Sequence, residues 1–474
     1  MGSASHTGMA APHASGSPAL PLLADLAARA GAMTLDRIPP AVLAQARLCV
    51  LDTVGCIVAG LRTQEARLIV ECEKTGGPAE ASVLGTNLRL PMQQAVRVNG
   101  YLGDVLELND LVGGHASIGN VTAALAAAEH TGAGGAAFLE AVVRGIETTW
   151  RIYSAVYPVL RPFGGMGLVP VGIPSSIGAA AAAAHLMALD DAGTLHAMAM
   201  AGALAGWCPA EVIFGDGGTA KPLLFGAQPA ATALQAVACA RAGMTGPVHL
   251  LDSPLGYIAT VTAQGSTPVA QSDLGWGLAA PRRKLHACCG YLHASVDALS
   301  ALRQRAPAAV GSGSIVVSLP PYVVEAVAKP RPPLSPNDAR FHVQYCLALA
   351  ACGEDVVLPE HSIDFDRHIQ RDDVRAAMAR ISVRADASLA HYQQCRISLQ
   401  GRDGAPLDEI SLDAPRGSPG HPLTDDEVVD KFMRLVSGVL GEAAATACLR
   451  HVMSIETATR VDIAGLLGAS PAPF

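Results

Sequence analysis

The sequence predicts a mainly α protein, built as a large all-helical domain plus a smaller α+β lid domain inserted before the C-terminal helices. Three observations predict it. Ala-rich apolar runs recur at helical spacing from Pro18 to about Pro281, strand-like runs appear only after Lys284, and a capped helix returns after Thr424. Half of the 474 residues are hydrophobic but only 4% are aromatic. That mix suits close helix packing through small residues better than sheets of aromatic and β-branched ones.

Pro39 and Pro40 open a helix in which Val42, Ala46, Cys49, Val50, Val54 and Ile57 share a face, ending at Gly60. Further helices are expected over 118–129, with a break at Gly132–Gly135, and over 136–150, 177–189, 192–204 and 227–242. They are Ala-rich on more than one face, so most must be buried from several sides. After Lys284, strands are expected over 315–319, stopped by Pro320 and Pro321, and over 380–384 and 394–399. The Gly401–Gly404 turn then leads to a partner strand over 409–412. Helices are expected between them over 338–352 and 371–379. Thr424 with Glu427 forms a capping-box signature ahead of a helix over 428–440. The domain expectation is therefore a disordered tail over 1–18, a helical domain over 19–281 and 423–474, and the lid over 282–422.

Composition excludes several classes. A net charge of −8 leaves no basic surplus to displace counterions from nucleic acid. The longest uncharged runs, Pro162–Ala184 and Pro222–Ala240, are broken by Gly, Pro, Ser or Gln and read as core rather than membrane segments. The first 18 residues lack the apolar stretch of a secretory signal. Eleven scattered cysteines with no C-x-x-C pair fit reduced thiols in a cytoplasmic protein, and no metal site is expected. Small-residue surfaces favour burial against a partner subunit, so an oligomer is expected.

Three polar clusters interrupt the apolar background. In the first, Asp104, Glu107 and Asp110 are spaced to share a helical face, and Gly113-Gly114 lets the chain turn so that His115 meets them, followed by Ser117. A carboxylate beside an imidazole orients a general base and raises its basicity; helix capping explains Asp110 and His115 equally well. The second is the glycine-rich run from Gly215 to Lys221 ahead of a helix, an arrangement able to hold an anion or simply to form a surface loop. The third runs Arg282-Arg283-Lys284, His286, Cys288-Cys289, Tyr291 and His293 into a helix carrying Asp297. It reads as a carboxylate-binding corner or as solvated charges at a domain boundary.

Taken in order, these clusters resemble the MmgE/PrpD family. The likeness is carried by Pro39-Pro40 with Leu51-Asp52-Thr53-Val54-Gly55-Cys56, Gly178–Ala184, and Met244-Thr-Gly-Pro247. It continues through Lys284 with His286, Cys288 and His293, then Asp338-Ala-Arg-Phe341 with Tyr345, and Pro422 to Lys431-Phe432. The resemblance implies a helical domain and a lid with the active site between them, a homodimer, no cofactor, and proton-transfer chemistry on a small carboxylic acid. It places Glu107, Asp110, His115, Lys221, Lys284 and His293 on the pocket, with Lys221 and Lys284 as carboxylate anchors and His286, Cys288 and Ser117 as further substrate contacts.

The sequence also departs from the family pattern. Asp104-Val-Leu-Glu107-Leu-Asn109-Asp110 stands where the family carries His-x-x-Asp-x-Asp-Asp, and Val169 falls where catalytic members carry a histidine. Valine neither donates nor accepts a proton. The leading expectation is a cofactor-independent lyase of the 2-methylcitrate dehydratase kind, acting next to a carboxylate of a di- or tricarboxylic acid, as in propionate metabolism. His115 would move the proton, oriented by Asp110 or Glu107, and His286 or His293 would serve as a second acid. Two alternatives stand beside it: an epimerase of an imino- or amino-dicarboxylate, and a non-catalytic carboxylate-binding paralogue.

Overall fold

The computed structural model describes residues 20–215 and 218–470. The expected tail over 1–18 and the centre of the glycine-rich loop lie outside the described residues.

The protein is mainly α, with a four-stranded mixed sheet and a two-stranded ribbon, Ala81–Ser82 with Arg89–Leu90. The proline-opened helix spans Pro40–Gly60 and is buried almost throughout its second half. Ala116–Thr131 and Gly135–Val156 pack on it, and these two together with Asp191–Leu204 and Gln228–Arg241 surround the helix Gly172–Leu186. In Ala116–Thr131 and Gly172–Leu186, the run of buried alanines covers every face, as expected of helices with neighbours on all sides. The helix expected over 177–189 starts earlier, at Gly172, and stops at Leu186 because Ala188 adopts a left-handed conformation, φ 53°. By length and composition alone two helices, Pro40–Gly60 and Leu223–Arg241, could cross a bilayer, but 72% and 61% of their apolar windows are buried inside the protein.

A second apolar core begins at Cys288 and runs to Leu399, whereas the first core resumes at Leu423 and continues to Leu467. The chain thus leaves the helical body once and returns to it. The second core is built on a four-stranded sheet in the order Ile381–Ala385, Ser314–Leu319, Cys395–Gln400, Pro406–Leu412. The first pair is parallel and the others antiparallel, with Ile315 opposite Ile381 and Leu399. Alternation in Cys395–Gln400 buries Cys395, Ile397 and Leu399 on one face. The stop at Pro320 is the start of a short helix, Pro321–Val327. The helix expected over 338–352 is two helices, Pro336–Arg340 and Val343–Ala351: His342 is extended, and its ring accepts the Tyr345 N–H at 3.3 Å, capping the second. The capping box at Thr424 and Glu427 is present and opens Asp425–Leu440, which lies along Pro40–Gly60 and closes the helical body.

Candidate active site

Charged side chains from four separate stretches meet at one buried point. Asp104 is the last residue of the helix Met92–Asp104. The chain then leaves helical geometry, and Glu107 sits at φ 53° and His115 at φ 77°. Left-handed backbone at a non-glycine residue costs roughly 1–3 kcal/mol and collects at functional sites. Asp104, Glu107 and Asp110 therefore do not share a helical face; the turn after Asp104 sends them in different directions. His115 takes the N-cap position of Ala116–Thr131, but its side chain makes no capping bond.

Lys221 reaches this point because two glycines allow backbones to touch. A Cβ on Gly100 would lie 2.5 Å from the Gly226 carbonyl oxygen, and one on Gly226 would lie 2.1 Å from that of Gly100. This contact seats the short π-helical turn Leu223–Ala227 against Met92–Asp104. Such turns are rare and recur at functional sites. Lys221, just before it, donates to Asp104 Oδ2 at 2.6 Å and also pairs with Glu107 Oε1. From the other side Lys284 donates to Glu107 Oε2 at 2.8 Å and to the Glu107 carbonyl at 3.0 Å. Asp104 Oδ1 lies 3.4 Å from His115 Nδ1, and Asn109 Nδ2 lies 2.8 Å from the same nitrogen. The result is a continuous chain: His115, Asp104, Lys221, Glu107, Lys284. Phe225 borders it, its ring edge-on to His115 at 5.3 Å and its centroid 4.6 Å from Lys221 Nζ.

Burial sets the protonation states. It pushes the Glu107 carboxyl up, but Lys221 and Lys284 outweigh it and hold the group well below the usual carboxylate range. Burial likewise pulls Lys221 down, and Asp104 with Glu107 pull it back above its ordinary value. His115 falls to about 4, through burial first and Lys221 second, against the opposing pull of Asp104. At neutral pH its imidazole is uncharged. Asn109 donates to the Asp110 carbonyl at 3.0 Å, and its amide nitrogen shares the His115 Nδ1 with the Asp104 carboxylate.

A second buried network braces the first. Lys431 donates to Asp52 Oδ1 at 2.6 Å, to the Leu108 carbonyl at 2.7 Å and to the Lys284 carbonyl at 2.9 Å. Asp52 Oδ2 in turn accepts the Asp110 N–H at 2.9 Å. One ammonium thus ties together the opening helix, the Glu107 turn and the strand of chain bearing Lys284.

Several expected site residues lie elsewhere. The Asp110 side chain turns away from His115 towards Asp52, Arg283 and Ser117; burial and the Asp52 charge raise it to about 6. The partners of His115 are thus Asp104 and Asn109, not Asp110 or Glu107, and Ser117 belongs beside Asp110. His286 is bonded at both nitrogens, to Asp297 Oδ1 at 3.0 Å and from the Val357 N–H at 3.2 Å. His293 stacks edge-on against it at 4.9 Å and donates to the Cys288 carbonyl at 3.3 Å. Burial first, then His286 and Lys284, holds His293 well below its ordinary pKa. Cys288 is fully buried in the second core, and burial raises its thiol far above the usual range. None of these three bonds to His115, but Lys284 acts electrostatically on both His293 and Cys288. Of the glycine-rich run, Gly215 accepts a hydrogen bond from Lys329 at 3.2 Å and Gly218 has φ 51°.

Sequence reasoning missed Asn109, Phe225, Lys431 and the role of Asp52. Asp52 carried a readable signal, as the lone acid in an apolar helical run, whereas Lys431 is flanked by Asp430 and Arg434. Val169 is buried in a third apolar cluster with Val171, Cys208, Ala210, Val212 and Phe225, against which Tyr153, Phe163 and Phe214 pack.

The site and fold together define the class. Residues 24–269 match the MmgE/PrpD N-terminal domain and residues 286–455 the MmgE/PrpD C-terminal domain. The chain belongs to the MmgE/PrpD family and is an enzyme of that type, a lyase. It is 29% identical over 465 residues to the cis-aconitate decarboxylase-like protein oryM of Aspergillus oryzae, covering 90% of this chain and 92% of the relative. It is 24% identical over 469 residues to a cis-aconitate decarboxylase of Aspergillus terreus, covering 92% and 93%.

Proposed function

We propose that the enzyme is a cofactor-independent decarboxylase of a small unsaturated carboxylic acid resembling cis-aconitate. The observation that carries this reading is the chain of His115, Asp104, Lys221, Glu107 and Lys284, assembled in a buried setting from stretches as far apart in sequence as Asp104 and Lys284. In the reaction the bond between a carbon and its carboxylate breaks, and carbon dioxide leaves. The electron pair moves through the neighbouring double bond, and a proton is added at its far carbon. Charge develops on a remaining carboxylate, where a buried ammonium is worth about 10²–10³ in rate. Lys221 and Lys284 supply two such groups.

His115 is the proton donor to the carbon. Its ring is neutral in the free protein, and a substrate carboxylate arriving beside it adds negative charge and raises its proton affinity. Asp104 stabilises the imidazolium so formed. Dehydration needs a second acid for the leaving hydroxyl; Val169 supplies none, and His286 and His293 are bonded elsewhere. The 2-methylcitrate dehydratase reading is therefore the one the site supports least. Epimerisation, which also dispenses with a leaving-group acid, is the second reading that Val169 favours.

The test is incubation of the purified enzyme with cis-aconitate in D₂O, followed by NMR. Carbon dioxide release with one deuterium in the alkene product is expected. Exchange at a stereocentre of an amino- or imino-dicarboxylate without loss of carbon would replace decarboxylation by epimerisation.

A further inference from the structure

Beside the acid–base chain lies a group of partly exposed aromatic side chains drawn from both cores, with one guanidinium among them. Tyr153 and Tyr157, 5.3 Å apart, come from the end of the helix Gly135–Val156 and the turn after it. Tyr291, His391 and Tyr392 come from the α+β portion. Tyr157 Oη meets His391 Nε2 at 3.2 Å across the boundary, and Tyr291 and Tyr392 lie 5.3 Å apart. Arg282 donates to Tyr392 Oη at 2.7 Å, with its guanidinium 5.7 Å from that ring.

This group is continuous with the reacting centre. The backbone of Arg282 accepts the Leu111 N–H at 2.8 Å, inside the turn that carries Glu107 and His115. A Cβ on Gly114, next to His115, would lie 3.0 Å from the Tyr153 ring and 2.9 Å from Val171. One on Gly290, next to Tyr291, would lie 3.7 Å from Lys284 Cε. Tyr153 also packs on the apolar cluster that holds Val169 and Phe225.

Charge balance gives Arg282 its meaning. Lys221 and Lys284 face Asp104 and Glu107, two cations to two carboxylates. Lys431 is matched by Asp52, and Arg340 lies 3.4 Å from Glu65. Arg282 has no carboxylate partner among the described residues, and the hydroxyls of Tyr153 and Tyr291 make no hydrogen bond there. A guanidinium is a planar fork matched to a carboxylate, and it is costly to keep half-buried without one. We infer that Arg282 is the anchor for one substrate carboxylate, set among rings and aliphatic side chains. The acid it fits presents one carboxylate to Arg282 and an apolar or planar carbon skeleton to Tyr153, Phe225 and Val169. At this group of rings Arg282 is, among the described residues, the free cation, whereas Lys221 and Lys284 are held by Asp104 and Glu107.

This inference rests on the lyase reading for its orientation, but binding tests it separately from turnover. The probes are acetate, hexanoate and cis-aconitate, titrated calorimetrically into the full-length protein and its Arg282→Gln, Tyr291→Phe and Arg305→Gln variants. Arg305 pairs with Asp408 on the surface and serves as a control. Hexanoate is expected to bind the wild type and the Arg305 variant more tightly than acetate. It should lose tenfold or more in Arg282→Gln and several-fold in Tyr291→Phe, which keeps the ring and guards against a folding artefact. Equal hexanoate affinity in wild type and Arg282→Gln, or no binding to the wild type, overturns the inference. Arg282-dependent binding with no turnover of cis-aconitate leaves the inference standing and counts against the decarboxylase reading alone. Turnover with KM unchanged in Arg282→Gln sinks the inference alone.

Discussion

Glu107 is the residue whose replacement tests the charge chain most directly. Its carboxylate is 3% exposed and bridges Lys221 and Lys284. At 2.8 Å and an effective dielectric of about 20, one such contact is worth roughly 6 kcal/mol before desolvation is counted. Glu107→Gln keeps the shape but leaves Lys284 without a carboxylate and Lys221 with Asp104 alone. Stranding a buried charge in this way costs about 3–5 kcal/mol. With an unfolding entropy of roughly 2 cal/mol/K per residue over the cooperative unit, Tm falls by about 3–5 °C at pH 7. The folded pKa of Glu107 lies below its ordinary 4.5, so its stabilisation is fully present above that pH and is lost as pH falls through the folded value. Thermal unfolding of wild type and variant from pH 8 to pH 3 should show a constant gap down to about pH 4.5 that closes below it. Small anions should stabilise the variant more than the wild type, because its site carries a surplus positive charge. A gap below about 1 °C at pH 7, or one that does not shrink in acid, would falsify the account of Glu107 as the shared counter-ion.

His115→Gln should leave Tm within about 1 °C of wild type and lower kcat by about 10²–10⁴. In the wild type the His115 limb should lie near pH 4 in kcat/KM and higher in kcat, as bound carboxylate raises the ring; coincident limbs in the two pH profiles would argue against that coupling. Asp110, raised to about 6 by burial and Asp52, has the opposite sign to Glu107: its protonated form is the one the fold prefers, so stability drops as pH rises through 6. Asp110→Asn should therefore unfold at a higher temperature than wild type at pH 8 and show little difference at pH 4, read by calorimetry. Lys431→Met leaves Asp52 buried without its partner and frees the carbonyls of Leu108 and Lys284; about 3–5 kcal/mol should be lost in denaturant unfolding, with activity falling as the Glu107 turn loosens. Gly114→Ala forces a side chain into φ 72° against Tyr153 and Val171, and a kcat loss with little change in Tm is the expected outcome in paired assays.

Much of the helical body was legible because its signals are local. Pro39-Pro40, the Ala-rich periodicity and the Thr424–Glu427 capping box act within a few residues, and the helices Pro40–Gly60, Ala116–Thr131 and Asp425–Leu440 fall where those signals place them. The hairpin around Gly401–Gly404 was equally local. The helix over 338–352 failed because its interruption comes from the His342 side chain taking over a backbone bond, which hydrophobic periodicity does not register. Val169, read as a missing histidine, lies in an apolar cluster that reaches Phe225 beside His115.

The chain's own order determined that acidic residues, an imidazole and several lysines occur in this protein, and that they interrupt an apolar background where burial gives charge a large effect. Which of them meet was decided only in three dimensions. Spacing suggested one helical face for Asp104, Glu107 and Asp110, but the left-handed turn at Glu107 sends Asp110 away to Asp52 and brings Lys284 in from 177 residues further on. A local pattern carries information over a turn or two of helix, whereas a buried ion pair forms between whichever groups the packed backbones leave face to face. The approach of Gly100 to Gly226 that delivers Lys221 to Asp104 is of that kind.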